Sequence, residues 1–376
     1  MNKKLLAVAI ASAFIAPAAM ADTSNVVIGG QMHFSVDSLN GANAAGTGMN
    51  RQTNVSSNAS NIFFKGSEDL GNGLSAIFQI QTYFSSGGTG SADASFGATK
   101  DGVGSGNTFA GVQGGFGTVI LGKNESAFKL LSRKVDMFNN QIGDSRNLTS
   151  KVAPAATLTQ SLGWDLRPNN VIQYATPSFS GFQGNLGYQT NTDAGYATDK
   201  SVTSLTATGT YTNGPIYAGL GYEKHNLSNL GIASLNDEKA WRLSGGYDFN
   251  IVKVVGFYQR ENSLFMTAAN NNADRSTYGL GVAGKITGNN TLKAQYYRTN
   301  DVSNTSNTSA NLWALGFDHA MSKRTTLYAA YARTNNNTNV NYSAFGGGHG
   351  DNPGGAGAAL VGQDPSGFSL GMIHNF

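Results

Sequence analysis

Gly279, Gly281 and Gly284 have the spacing of a dinucleotide-binding turn, where glycines let the backbone approach a pyrophosphate at a helix N-terminus. That chemistry needs a strand before the glycines and a helix after them. Here two-residue alternation runs through all three, so they read as glycines facing a crowded sheet. Residues 346–357, GGGHGDNPGGAG, are glycine-rich enough to suggest a phosphate cradle. They lack the Gly-Lys-Ser/Thr ending and read as a flexible external loop. The histidines, at 33, 225, 319, 349 and 374, are isolated, and no pair has the i,i+2 or i,i+4 spacing of metal ligands. His319 and His374 fall on outward-facing positions near strand ends. There is no cysteine, so disulfides and thiolate metal sites are excluded. No catalytic set, metal or cofactor is expected.

What remains is charge, and it gathers in one stretch. Residues 123–168 form the longest part of the chain without period-2 alternation. Phe128, Leu131, Val135 and Phe138 recur near helical spacing, then scattered charges and two prolines follow. A segment this long inside a compact domain is usually functional. It is long enough to fold into whatever the rest of the chain encloses.

The rest of the chain reads as a wall of strands. Leu74, Ala76, Phe78, Ile80, Thr82 and Phe84 alternate with Ser75, Ile77, Gln79, Gln81 and Tyr83. Trp241, Leu243 and Tyr247 alternate with Arg242, Ser244 and Asp248; Tyr278, Leu280 and Val282 with Thr277, Gly279 and Gly281. The last stretch sets Phe368, Leu370, Met372, His374 and Phe376 against Ser369, Gly371, Ile373 and Asn375. Such runs of about ten residues suit tilted transmembrane strands. Short turns at 69–73, 116–118, 178–181, 213–215, 249–251, 287–290 and 321–323 alternate with long connections at 39–57, 86–106, 124–168, 192–200, 226–238, 262–273, 300–308 and 335–365. Seven turns and eight loops join sixteen strands. The expected fold is an all-β, 16-stranded antiparallel transmembrane β-barrel with a constriction loop folded into a water-filled lumen.

Composition agrees. Charged residues are 12% of the chain, about half the usual share for a soluble protein. Residues 1–21 read as a cleaved signal peptide: Lys3 and Lys4, an apolar run, then Ala19-Met20-Ala21. The barrel is then 22–376, with 23 basic and 22 acidic residues left after Lys3 and Lys4 depart. No basic patch suggests nucleic acid.

The pieces FFKGSEDLGNGLSAIFQIQ, GVQGGFGTVILGK, NNVIQYATPSFSGFQGNLGY, ALGFDHAMSKRTTLYAAY and GMIHNF run from the second strand to the end. In that order they resemble the trimeric general porins of Gram-negative bacteria, in particular the beta-proteobacterial and Neisseria type. The resemblance implies an outer-membrane homotrimer passing ions and small hydrophilic solutes passively. A solute-specific channel for a sugar or dicarboxylate is the alternative, and loops 39–57 and 335–365 serving adhesion or phage attachment a third reading. It also implies that loop 86–106 reaches a neighbouring subunit, that 124–168 constricts the lumen, and that basic wall residues face acidic loop residues. On that pattern Glu125, Asp136 and Asp144 supply the negative side. Lys65, Arg242, Lys285 and Lys293 have the inward parity for the positive side, and Lys123, Arg133 and Arg146 act from the loop and its root. Phe63, Tyr83 and Tyr297 have inward parity too and are candidates for lining the lumen. Asn61 stands where the family often has Arg, so weak selectivity leaning to anions is expected. Terminal Phe376 resembles the signal read by the barrel-assembly machinery during insertion among outer-membrane lipids.

Overall fold

The computed structural model describes residues 25–42, 48–84, 102–150, 163–190, 202–227, 237–264, 273–350 and 360–376. Residues 1–21, expected from sequence to be a leader, and residues 86–101 of the second loop lie outside them. Six strands precede the long central segment: Asn25–Ala42 (β1), Met49–Ser57 (β2), Asn61–Gly71 (β3), Leu74–Tyr83 (β4), Thr108–Gly114 (β5) and Gly117–Lys123 (β6). After it come Val171–Ala175 (β7), Phe182–Gln189 (β8), Thr203–Asn213 (β9), Ile216–Asn226 (β10), Glu238–Asp248 (β11) and Val252–Leu264 (β12). Ala273–Lys285 (β13), Asn290–Thr299 (β14), Ala310–Ala320 (β15), Thr325–Asn336 (β16) and Ser366–Asn375 (β17) complete the wall.

Neighbouring strands pair antiparallel, and β1 closes the sheet on β17, with Gln31 opposite Asn375 and Asn40 opposite Ser366. The chain's end seals the seam: Phe376 N donates to Gly30 O at 3.1 Å, and Gly30 N to Phe376 O at 3.3 Å. β1 pairs with β2 through Phe34–Ala42 and with β3 through Asn25–Gln31. β2 and β3 are therefore one wall strand broken at 58–60, where Ala59 adopts φ 57°. Seventeen segments fill sixteen places, and closure leaves no lipid-exposed edge.

The alternation has its expected sense. Arg242 is fully buried while its neighbour Leu243 is 54% exposed. Apolar residues face outward and polar ones inward, the reverse of a soluble protein. On β10–β16 the outward face carries a row of rings: Tyr222, Trp241, Tyr258, Tyr278, Tyr296, Trp313 and Tyr331. Phe182, Tyr211, Tyr247 and Phe249 stand nearer the short-turn end, in tilted pairs 4.5 and 4.4 Å apart. Aromatic rings at both rims mark the two membrane interfaces.

Two loop expectations need correcting. Residues 39–42 and 49–57 of the first long connection are strand, because the first hairpin extends beyond the apolar stretch and its ladder continues through polar residues. The last connection is not wholly external: Tyr342, Ala344 and Phe345 are fully buried. Ala344 O accepts from Gly143 N at 2.8 Å, and Asn58 Oδ1 from Gly350 N at 2.9 Å. Gly348, at φ 115°, lies so close to Asn140 and Arg146 that a Cβ there would displace the ends of both side chains. Glycine there serves close approach, not looseness.

Candidate functional site

The central segment enters the barrel from β6 and lies against one side of the wall. Its helix α1, Ala127–Arg133, begins at Ser126, whose side chain accepts from Lys129 N at 3.1 Å. Helical spacing suggested a longer helix, but it ends at Arg133 and turns follow. Phe128, Leu131, Val135 and Phe138 are nevertheless all within 1% of complete burial. Leu131 packs onto Gly219 and Gly221 of β10, where a side chain would occupy its space. A second turn of helix, α2 (Arg146–Thr149), is also buried.

Carbonyls that the segment's own turns leave unpaired must find partners elsewhere. Inward side chains of the wall supply them. Arg242 Nη1 donates to Phe128 O at 2.7 Å, Gln259 Nε2 to Thr149 O at 2.8 Å, and Gln295 Nε2 to Gly143 O at 2.8 Å. Arg242 also pairs with Asp165 as the loop leaves, and its guanidinium lies 4.0 Å from the Phe128 ring centroid. Trp164 stacks on His225 of β10 at 4.7 Å. Arg275 pairs with Glu261 and bonds Tyr342 of the last loop. The wall from β10 to β15 is thus a polar bed on which the segment is fastened.

An opening remains on the other side. The wall there presents Gln31, Asn61, Phe63, Gln81, Tyr83 and Asn107, neutral side chains throughout. The segment presents Glu125, Lys129, Arg133, Asn140, Arg146 and Arg167, with Gly348 beside them. Four cations and one carboxylate therefore border the opening, with Arg133 the most accessible cation and Lys129 and Arg146 keeping only 1% and 2% of their surface exposed. Glu125 lies 3.0 Å from Lys129 Nζ and 3.0 Å from Arg167 Nη2. Burial alone would raise its pKa, but Lys129, Arg167 and Arg133 outweigh that and hold it well below the usual carboxylate range. Arg167 also donates to Tyr83 OH and Asn107 Oδ1, each at 2.8 Å, which joins the segment's return to the opposite wall. Arg133 and Arg146 share Asn140 Oδ1, at 3.3 and 2.8 Å. Asp144 pairs with Arg146 at 2.7 Å but sits behind it, fully buried.

A family model described as Gram-negative porin matches residues 6–339, most of the chain. This chain belongs to the Gram-negative porin family. An outer membrane porin protein of Bordetella pertussis is 30% identical over 284 residues, 69% of each chain. The major outer membrane protein P.IB of Neisseria gonorrhoeae is 29% identical, spanning 86% of this porin and 91% of the relative. Among solved structures, an anion-selective porin from Comamonas acidovorans superposes with TM-score 0.71 at 25% identity, covering 94% of this porin and all of that chain. Porins are channels, not enzymes. The chain is an outer membrane porin, a water-filled barrel for passive diffusion, and nothing in these likenesses favours a solute-specific channel.

The porin's charges sit differently from the family-implied arrangement of basic wall and acidic loop. Arg242 and Lys293 do point inward, but the segment covers them: Lys293 is 7% exposed, donating to Asp318 and Gln141 at 2.9 Å each. Lys65 and Lys285 are exposed on the inner wall outside the group lining the opening, Lys285 beside a short turn. Lys123 shares the outward face of Leu121 and donates to Ser105 O at 2.8 Å, so it is not a lumen residue. Asp136 shapes a turn, accepting from Phe138 N and Ser145 N at 2.7 Å each. Of the expected acids only Glu125 reaches the opening. Arg133, Arg146, Phe63 and Tyr83 reach it; Tyr297, 1% exposed, lies under the segment. Lys129 and Arg167 complete the cationic side and were not singled out from sequence. A usable signal existed for Lys129, which follows Glu125 by four residues on a helix whose Phe128 and Leu131 must face the wall.

Proposed function

We infer that this porin is a diffusion channel whose constriction prefers anions, with selectivity set by cations on the inserted segment. The observation behind this reading is the opening itself: Lys129, Arg133, Arg146 and Arg167 against Glu125, facing a neutral wall. Charged rings select ions by sign, and low-dielectric walls strengthen their field. Asp144 behind Arg146 and Glu125 among its partners keep the preference moderate. The anion-selective Comamonas relative supports the same sign. The test is the zero-current potential of single channels in a salt gradient; a cation-selective sign rejects the reading.

The assembly we propose is a homotrimer, a form recorded for the structurally similar OmpT of Vibrio cholerae. A monomer in unheated mild-detergent gels would oppose it. Residues 1–21 are proposed as the cleaved leader, checked by N-terminal sequencing of the membrane form. Phe376, which closes the β1–β17 seam, is proposed as part of the signal read by the barrel-assembly machinery. Its deletion should lower barrel yield in cells while sparing refolding in detergent.

A further inference from the structure

Three ionisable side chains meet beneath the returning end of the inserted segment. His225 is fully buried, with Nδ1 2.6 Å from Glu238 Oε1 and Nε2 3.2 Å from Glu223 Oε1. Both glutamates are buried too. Glu223 precedes His225 by two residues on β10, and Glu238 is its partner across the β10–β11 ladder. Among the described residues β9 adds only neutral groups: Ser204 opposite His225, and Thr206, which donates to Glu223 Oε2 at 2.9 Å. The segment covers the ring with Trp164, at 4.7 Å between centroids and 22° between planes.

A neutral imidazole has one N–H donor and one acceptor nitrogen, whereas the imidazolium donates from both. A carboxylate at each nitrogen therefore selects the cation. Burial alone would lower its pKa, but the hydrogen bonds and charges of Glu223 and Glu238 outweigh that and push it up to about 9. The group lies clear of the hydrocarbon, since His225 and Glu238 are each three residues on the loop side of Tyr222 and Trp241 in the aromatic row. A cation against an indole face adds attraction to the stack. Trp164 in turn precedes Asp165, the partner of Arg242, and stands three residues before Arg167 in the opening.

We propose that Glu223 and Glu238 hold His225 as an imidazolium on which Trp164 docks, and that this dock positions Arg167 in the opening. None of these four residues lines the opening. They are positioning residues, acting through the short chain that leads to Arg167. A neutral ring would leave two buried carboxylates facing each other across it and take the cation from under Trp164. The dock is complete below the ordinary histidine value of about 6.5 and is lost as pH rises through about 9. Its effect on permeation rests on the cation-lined opening proposed above; the state of the ring does not.

Nitrogen-15 NMR of the full barrel in detergent, with labelled histidine, reads the ring directly, and contact with Trp164 assigns it. Both nitrogens should carry protons at about pH 7 and titrate near pH 9, and Glu238→Gln should move that titration down. A neutral ring at about pH 7, or a titration that Glu238→Gln leaves in place, overturns the bridge. Zero-current potentials read the positioning. His225→Phe keeps a ring for Trp164 without the charge. It should shift the potential towards cations, by at most the roughly eightfold change in permeability ratio that one unit charge brings. His225→Lys restores the charge and should stay near the wild type. Both variants are read against the wild type, so a cation-selective wild type would fail the anion reading alone. An unshifted potential in folded His225→Phe overturns the positioning role.

Discussion

Glu125 and Lys129 stand four residues apart with 3.0 Å between carboxylate and ammonium, and Arg167 approaches the same oxygen from the segment's far end. The one acid in the opening is thereby held between the two ends of the inserted segment. It both ties them together and cancels part of their charge.

Removing that cancellation should sharpen selectivity. A unit charge about 7 Å from a permeating ion in water contributes about 0.6 kcal/mol, a factor of roughly three. The charge acts with opposite sign on the two ions, so Glu125→Gln should raise the anion-to-cation permeability ratio by about the square of that factor, roughly eightfold, read from zero-current potentials. A ratio that falls instead would mean that Glu125 does not face the ion path.

Acid should leave Glu125's share of the preference unchanged over a wide range, whereas Asp144 behind Arg146, its pKa pushed up to about 7 by burial, gives up its charge as pH falls below that value. An ordinary glutamate would lose its charge near pH 4.3, about the value in unfolded chains. The cations around Glu125 hold its folded pKa well below that. Its contribution to stability is thus present above the unfolded value and is lost only as pH falls through the depressed folded value. Zero-current potentials recorded from about pH 7 down to about pH 4 should show no step near 4.3. A step there that disappears in Glu125→Gln would contradict the depressed pKa.

The segment's anchorage rests on Arg242 and Asp165, both fully buried. Arg242→Gln leaves Asp165 without its charge partner and should destabilise the barrel by about 3–5 kcal/mol. Arg242→Gln/Asp165→Asn removes both charges and should recover much of that loss. Heat- or urea-unfolding of the refolded barrel measures both. Equal stability of the single and double variants would show that the pair does not fasten the segment.

Gly219 and Gly221 leave the space that Leu131 fills. Gly221→Val should push α1 off the wall towards the opening and lower conductance, with an overpacking cost of about 1–3 kcal/mol. Unchanged conductance in a folded variant would place α1 elsewhere.

The barrel was legible because its signal is local. Each wall residue's face follows from its neighbours, as Arg242 and Leu243 illustrate, and turn residues mark the ends. Lys123 was legible too, had its alternation with Leu121 been followed to the strand's end. What local pattern cannot carry is which half of the lumen the inserted segment covers. Arg242 and Lys293 have the same inward parity as Lys65 and Lys285, yet the first two are buried under the segment and the others are exposed. That difference comes from contacts more than a hundred residues apart in sequence, such as Phe128 with Arg242 and Gln141 with Lys293. The inward fold of the last loop was hidden for the same reason. Its glycines resemble those of an open loop until Asn140 and Arg146 are seen against Gly348.

Comparing two neutralised cations tests most directly whether selectivity resides on the segment. Arg133 borders the opening from α1, while Lys65 stands on the inner wall outside it. Zero-current potentials of Arg133→Gln and Lys65→Gln channels would be measured in the same salt gradient. The expected result is a clear shift towards cations for Arg133→Gln and a smaller one for Lys65→Gln. A larger shift for Lys65→Gln, with Arg133→Gln unchanged, would return selectivity to the wall and contradict the account.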